Sequence, residues 1–342
     1  MTQKKRRPTI RDVADLVGVH HSTVSRALSP EKSKQISPAV VEKVKKAADT
    51  LGYYPNIMAS SLKQNRSYAL GVLIPDLMNP VFPPIIRGIQ DAAEIFGYSI
   101  ITANTDDNRQ REMDALRMMQ GRSIEGVIVA TAQREDEIVD ECIRNHIPLV
   151  LVNRTIDAPG VNAVISDEQY GTRSALDHLT GLGHEKIAHV AGPQYTSTGY
   201  SRAQEFSRYM EGRGLSSELL VTTEKFTVEE GYRAYRALLE KDTEFTAVLV
   251  ANDLLAIGCI DALREMGRRV PEDVSIVGNN DIPYLDRMDP ALTTVSIPKY
   301  EMGEAAANKL FAILKGEAPQ PETIKLKPRF IVRQTTAAPG GN

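Results

Sequence analysis

His20 and His21 stand side by side in GVHHSTVSRAL, residues 18 to 28, where a short polar turn gives way to an apolar periodic run. Paired imidazoles suggest a metal. Adjacent helical residues point about 100° apart, however, and no cysteine lies near in sequence to complete a site, so shared chelation is not expected. His146, His178, His184 and His189 lack metal-ligand spacing, and no GxSxG, GxxxxGK[ST] or GxGxxG stretch occurs. The expectation is a chain with no catalytic residues, no metal and no cofactor. Cys142 and Cys259 each fall inside an amphipathic helical pattern and read as buried thiols, not a disulfide framework.

What the same stretch can do is read a double helix. Arg26 offers two parallel N–H donors that match the acceptors on the major-groove edge of guanine, and His21 and Ser22, near the start of the run, can reach base edges. His20 falls at the N-cap or the turn before it, where Ser or Thr is usual, and is read as a phosphate contact or a weak cap. Thr9, Thr23 and Ser25 complete the residues expected to face DNA.

Helices must hold these side chains. Thr9 can cap IRDVADLV, whose Ile10, Val13, Ala14 and Val17 recur at helical spacing, and Gly18 ends it. STVSRAL then turns Val24, Ala27 and Leu28 toward the same core and leaves His21, Ser22, Ser25 and Arg26 outside. SPAVVEKVKKAADTLGY starts a third helix with Ser37 as N-cap and Pro38 at the first helical position, and stops at Gly52. Two helices joined by a three-residue turn have the spacing of a helix-turn-helix. Charge agrees with this reading: residues 1–67 hold 13 Lys+Arg and 5 Asp+Glu, whereas the remainder holds 28 and 39. A basic head on an acidic body suits a head that meets a polyanion. The segment after Pro55 has a possible fourth helix, Asn56 to Lys63, too short to be stable alone and expected to fold only with a partner.

From Tyr68 apolar strands alternate with longer amphipathic helices, the pattern of parallel α/β sheets. YALGVLIP, YSIITANT, GVIVAT and PLVLVNR make one half; KIAHVAG, LLVTTEKF, AVLVAN and VSIVGNND make the other. The expected architecture is an all-α helix-turn-helix head on an α/β body of two doubly wound parallel-sheet lobes. Ligands of such sheets bind beyond the carboxyl ends of the strands. The expected divisions are a DNA-binding domain over 1–55, a hinge over 56–67, a two-lobed body over 68–333 and a frayed tail over 334–342. No apolar run reaches the roughly 18 residues of a membrane span, and MTQKKRRPT lacks the apolar stretch of a signal peptide, so a cytoplasmic protein is expected.

TIRDVADLVGVHHSTVSRAL, VVEKVKKAADTLGYYPNIMASSLK, GVLIPDLMNPVF, GLGHEKIAHVAGP, AVLVANDLLAIG and VPEDVSIVGNNDIP occur in this order. Together they resemble the lactose-repressor (LacI/GalR) family of bacterial transcription regulators over nearly the whole chain. The resemblance implies a homodimer, or a pair of dimers, on a roughly palindromic operator. It implies that the body senses a sugar or sugar derivative and folds like periplasmic sugar-binding proteins. It also implies that Leu62 wedges into the minor groove, with Asn56 and Ala59 near the backbone; an apolar wedge can pry open a base step. The positions that match the family pocket are Phe82, Asn153, Arg154, Arg202, Asn252, Asp253 and Asn280. Asp253 could instead cap the helix it precedes.

Departures from the family fall at His20, where Ser or Thr is usual, and in the loop SPEKSKQIS, which is longer than usual. In the pocket, Asn280 stands where many relatives carry Asp and Asn279 where they commonly carry an aromatic residue. An amide adds a donor and removes a charge, so the effector cannot be carried over from a relative. An enzyme and a transport-type binding protein are the rival readings; the first lacks a reactive motif, and the second lacks an export signal and has no use for the basic head. No heptad tail is evident, which favours a dimer.

Overall fold

Among the described residues of the N-terminal unit, side-chain caps start the first two α-helices and a proline at the first turn starts the third. Helix α1 (Ile10–Val17) starts at Thr9 in a capping box: the Thr9 amide donates to Asp12 Oδ2 at 2.6 Å, and the Asp12 amide donates back to Thr9 Oγ1 at 3.4 Å. Gly18 ends it at φ +73°, a left-handed conformation that costs glycine little. Helix α2 (His21–Ala27) follows, and then α3 (Pro38–Leu51). Ser37 occupies the expected cap position of α3 but makes no side-chain cap bond. Pro38, which has no N–H to satisfy, reduces the need for one. Val13, Val24 and Val44 are fully buried among Ala14, Ala27, Ala47 and Ala48 and make the core. Each buried valine contributes about 1.5–3 kcal/mol.

The computed structural model describes residues 8–28, 33–53, 66–241, 244–317 and 320–340. Contacts divide the chain into two units, Met1–Ser67 and Tyr68–Asn342. The hinge positions Asn56, Ala59 and Leu62 lie outside the described residues.

In the second unit the chain runs β1 (Ala69–Ile74), α4 (Phe82–Ile95), β2 (Ser99–Asn104), α5 (Arg109–Gly121), β3 (Gly126–Val129), α6 (Glu137–Arg144), β4 (Leu149–Val152) and β5 (Ala163–Ser166). It continues through α7 (Glu168–Gly181), β6 (Ile187–Ala191), α8 (Ser197–Gly212), β7 (Leu220–Thr222), α9 (Val228–Lys241), β8 (Ala247–Val250), α10 (Asp253–Glu265) and β9 (Ser275–Asn280). Then come β10 (Thr293–Ser296), α11 (Lys299–Leu314), β11 (Thr323–Leu326) and β12 (Arg329–Ile331).

Two six-stranded sheets result, ordered β11-β5-β4-β3-β1-β2 in the first lobe and β12-β10-β9-β8-β6-β7 in the second. All neighbours are parallel except β12 against β10. Alternation along β1 shows why both faces are covered. Leu70, Val72 and Ile74 pack into one buried cluster with Ile85, Ile89 and Leu310, while Leu73 packs into another with Leu116, Met119 and Leu151.

The lobes are not consecutive halves, as the strand pattern had suggested. The chain crosses between them after β5, after β10 and again after β11, because α11 and β11 return to the first lobe. Helix α11 fits against α4 only where both surfaces lack side chains. A Cβ at Gly88 would lie 2.1 Å from Tyr300 O, and one at Gly303 would lie 2.0 Å from Ile85 O. Gly231 and Gly258 play the same part between α9 and α10, with 2.1 Å to Leu255 O and 1.9 Å to Val228 O.

The C-terminal residues expected to fray are packed as far as Ala337. Thr335 is fully buried; its hydroxyl ties β9 to β10, with Oγ1 donating to Ile276 O at 2.7 Å and accepting from Thr293 N at 2.9 Å. Ala337 O lies 2.9 Å from His184 Nε2, and His178 Nε2 lies 2.9 Å from Thr336 Oγ1. These histidines hold the terminal segment, and burial lowers the pKa of both.

Candidate nucleic-acid interface and ligand cleft

Helix α2 turns Val24 and Ala27 inward, which leaves His21, Ser25 and Arg26 exposed and Ser22 and Thr23 half-buried on the outer face. Arg26 Nε donates to Ser22 O at 3.3 Å, which keeps the side chain along its own helix and leaves Nη1 and Nη2 for other contacts. His20 is the N-cap: its Nδ1 accepts from the Ser22 amide at 3.3 Å and lies 2.8 Å from Ser22 Oγ. Its ring packs on that of His21, centroids 4.0 Å apart. The pair is therefore a cap that steadies its neighbour, and the rings are tilted by 43°. Thr9 spends its hydroxyl in the α1 cap, on Asp12 Oδ2 at 2.8 Å. Among the described residues no group of three or more His, Cys, Asp or Glu is placed to hold a metal, and no helix is long and apolar enough to cross a membrane.

In the body, strand ends of both sheets meet at a cleft. The first lobe contributes Asn79, Val81, Phe82, Asn153 and Arg154, and the second Thr198, Arg202, Phe226, Asn252 and Asn280. About 320 Å³ of space lies between them, open solvent included. Of the positions singled out in the sequence, Phe82, Asn153, Arg154, Arg202, Asn252 and Asn280 come together here. Asp253 does not. It is fully buried behind the cleft, where Oδ1 accepts from Thr294 Oγ1 at 2.6 Å and Oδ2 from Ile282 N at 3.0 Å. Burial pushes its carboxyl up to about 7. Nor does Asp253 cap α10; Asn252 does, its Oδ1 accepting from Leu255 N at 2.9 Å.

The two arginines of the cleft are already paired. Arg154 Nη1 donates to Asp107 Oδ1 at 3.0 Å, and Arg202 Nε donates to Glu168 Oε2 at 2.6 Å. Arg202 Nη1 also donates to Ala251 O at 2.5 Å. These partners were not legible in the sequence, nor were Asn79, Val81, Thr198 and Phe226 as lining residues. Asn79 begins the recognisable NP step and Val81 follows it, and Phe226 ends the TTEKF stretch, so position after a strand end was the available signal.

Several bonds tie the lobes beside the cleft. Arg134 N donates to Tyr195 O at 2.9 Å, and Thr155 N to Ser197 Oγ at 2.9 Å. The Arg134 guanidinium lies 3.6 Å from the centre of the Tyr200 ring. Lys299, at the start of α11 in the first lobe, donates from Nζ to Asn280 O at 2.5 Å and Asp281 O at 3.0 Å in the second. Burial lowers its pKa.

Comparison with known proteins bears on the whole chain. The pattern of bacterial regulatory proteins of the lacI family matches residues 9–56, and that of the periplasmic binding protein-like domain matches residues 176–336. The Ribose operon repressor of Halalkalibacterium halodurans is 31% identical, over 96% of this chain and 97% of its own. The chain belongs to the LacI family. Among solved structures of this family, the lac repressor dimer bound to operator and the anti-inducer ONPF is 27% identical, with a TM-score of 0.86 over 97% of this chain and 100% of that one. A complex of the transcriptional regulator CelR with cellobiose is 30% identical, with a TM-score of 0.74 over 96% and 100%. As a LacI-family protein this chain is a sequence-specific DNA-binding regulator of transcription, and the helix-turn-helix reading of α1 and α2 holds.

Proposed function

We propose that the protein is a cytoplasmic, homodimeric repressor whose affinity for a roughly palindromic operator is set by a small, uncharged, hydroxyl-rich effector in the cleft, and that it has no enzymatic activity. The observation that carries the effector reading is the cleft itself: amides of Asn252 and Asn280, the Thr198 hydroxyl and the Asn153 amide lie among the rings of Phe82 and Phe226. Directional polar groups between apolar walls suit a polyol whose ring faces are apolar and whose edges are not. Charge points the same way, because Asp107 and Glu168 balance Arg154 and Arg202, the cations among the described residues lining the cleft, and leave none spare there for an acidic or phosphorylated ligand. The cellobiose held by CelR and the ribose operon of the H. halodurans relative are consistent with such a ligand.

On the DNA side, His21, Ser22, Thr23, Ser25 and Arg26 read bases and phosphates, with His20 and Thr9 as supports, Leu62 as the wedge in the minor groove and Asn56 and Ala59 near the backbone. A thermal-shift screen of the full chain against neutral sugars, sugar acids and sugar phosphates tests the effector reading. Stabilisation by a neutral sugar alone is expected; stabilisation by acids or phosphates alone contradicts it.

A further inference from the structure

Glu168, Arg202, Asn279 and Asn280 form a line of polar contacts, of which Arg202 and Asn280 reach the cleft. Arg202 is only 4% exposed. Beyond its bonds to Glu168 and Ala251, it faces the Asn279 side chain, one amide atom of which lies 2.9 Å from Nη2 and 3.2 Å from Nη1. The same Asn279 atom lies 3.0 Å from an amide atom of Asn280. The two ends of an amide have nearly the same shape, so the partners decide which end is which. A guanidinium has five N–H donors and no acceptor. The Asn279 atom that faces it is therefore Oδ1. An oxygen cannot accept from another oxygen, so the Asn280 atom opposite it is Nδ2. The reverse arrangement would set an NH2 group against a buried guanidinium and leave the Asn279 oxygen without a donor.

With Nδ2 engaged, the oxygen is the amide atom that Asn280 has left for the cleft it lines. Its backbone is held as well, at φ +114° with the carbonyl on Lys299 Nζ. We infer that Asn279 is a positioning residue that fixes the Asn280 amide so that it shows a carbonyl oxygen to the cleft, and that the effector must offer a hydroxyl or N–H donor at that point. The inference about the effector rests on the proposal that a ligand occupies the cleft; the orientation of the two amides does not. Arg202, with four of its five donors used inside the protein, acts as the anchor of this line and leaves one N–H for a ligand. It cannot grip a carboxylate or phosphate through two parallel bonds.

A double-mutant cycle on the full chain reads the orientation. Asn280→Asp places a second oxygen 3.0 Å from Asn279 Oδ1, so it should lower the melting temperature by several degrees near neutral pH. In an Asn279→Ala background the opposing oxygen is gone, and the added loss caused by Asn280→Asp should shrink. A generic penalty for burying a carboxylate would be the same in both backgrounds, and the reverse amide orientation would make the Asp better tolerated beside Asn279 than beside Ala. Either of those two results overturns the inference. For the ligand contact, any neutral sugar from a panel of D-ribose, D-xylose, D-glucose and cellobiose that raises the wild-type melting temperature is replaced by its deoxy and deoxyfluoro derivatives. One position should fail in both forms, since neither can donate, with at least a tenfold loss of affinity that disappears in Asn280→Ala. Binding that tolerates every deoxyfluoro derivative overturns the donor requirement. A panel in which no sugar binds counts against the effector reading and leaves the outcome of the cycle standing.

Discussion

Arg26 is the residue on which base reading depends most, because its guanidinium is exposed on the outer face of α2 and tethered through Nε. Arg26→Ala should cost about 1–3 kcal/mol of operator affinity and relax preference at one base pair, whereas His20→Ala, which removes a cap, should weaken all sequences alike. A base-substitution scan of the operator separates the two patterns; a uniform loss for Arg26→Ala contradicts its assigned role. Asp253 carries a second prediction at this scale. Its carboxyl titrates in the folded protein at about 7 against an ordinary 3.8, so folding retains a proton that the unfolded chain gives up between those values. Stability therefore falls with rising pH across that window and levels off above it. Asp253→Asn can keep both contacts, accepting from Ile282 N and donating to Thr294 Oγ1. Thermal melts at about pH 5 and about pH 8 should show wild type losing ground to the variant, and parallel curves would contradict the assigned burial.

Elements show where sequence was sufficient and where it was not. The faces of α1 and α2 were legible because Val13, Val24 and Ala27 recur at helical spacing and pack together in one cluster of head residues. The cap of α10 was not, because Asn252 and Asp253 are neighbours of equal capping ability. Tertiary packing decides it: Gly278 leaves room for Asp253, since a Cβ there would sit 2.4 Å from Oδ1. Strands β5 and β10 escaped notice because their apolar runs are short, three residues in AVIS and one in TTVS, and the threonine hydroxyls of β10 pair only in the folded lobe. The glycine contacts between helices carry a prediction of their own. Gly258→Ala must push α10 from α9, where its Cβ would meet Val228 O at 1.9 Å, and should cost about 1–3 kcal/mol in denaturant melts. Gly212→Ala, with nothing within 4 Å of the new Cβ, should stabilise slightly or leave stability unchanged.

For the whole molecule, the charge imbalance between head and body was readable from counting, as was the presence of two sheets. The interleaving of the lobes was not, because which sheet an element joins depends on which edge and face remain uncovered, not on its local pattern. That interleaving matters to regulation, since three crossovers and the Lys299 bonds link the lobe arrangement to the backbone of Asn280. A ligand can shift the operator affinity only through a difference in its affinity for two lobe arrangements. Lys299→Met should therefore reduce the effect of a ligand on operator affinity more than it reduces ligand binding itself, which titrations of both equilibria would check. The most direct measurement for the account as a whole is the dissociation constant of the full chain for an operator selected from random sequence, taken with and without a sugar that stabilises the protein. A change of about 5–150-fold is expected at saturating sugar; a sugar that binds in the cleft and stabilises the body yet leaves that constant unchanged would contradict regulation through the cleft.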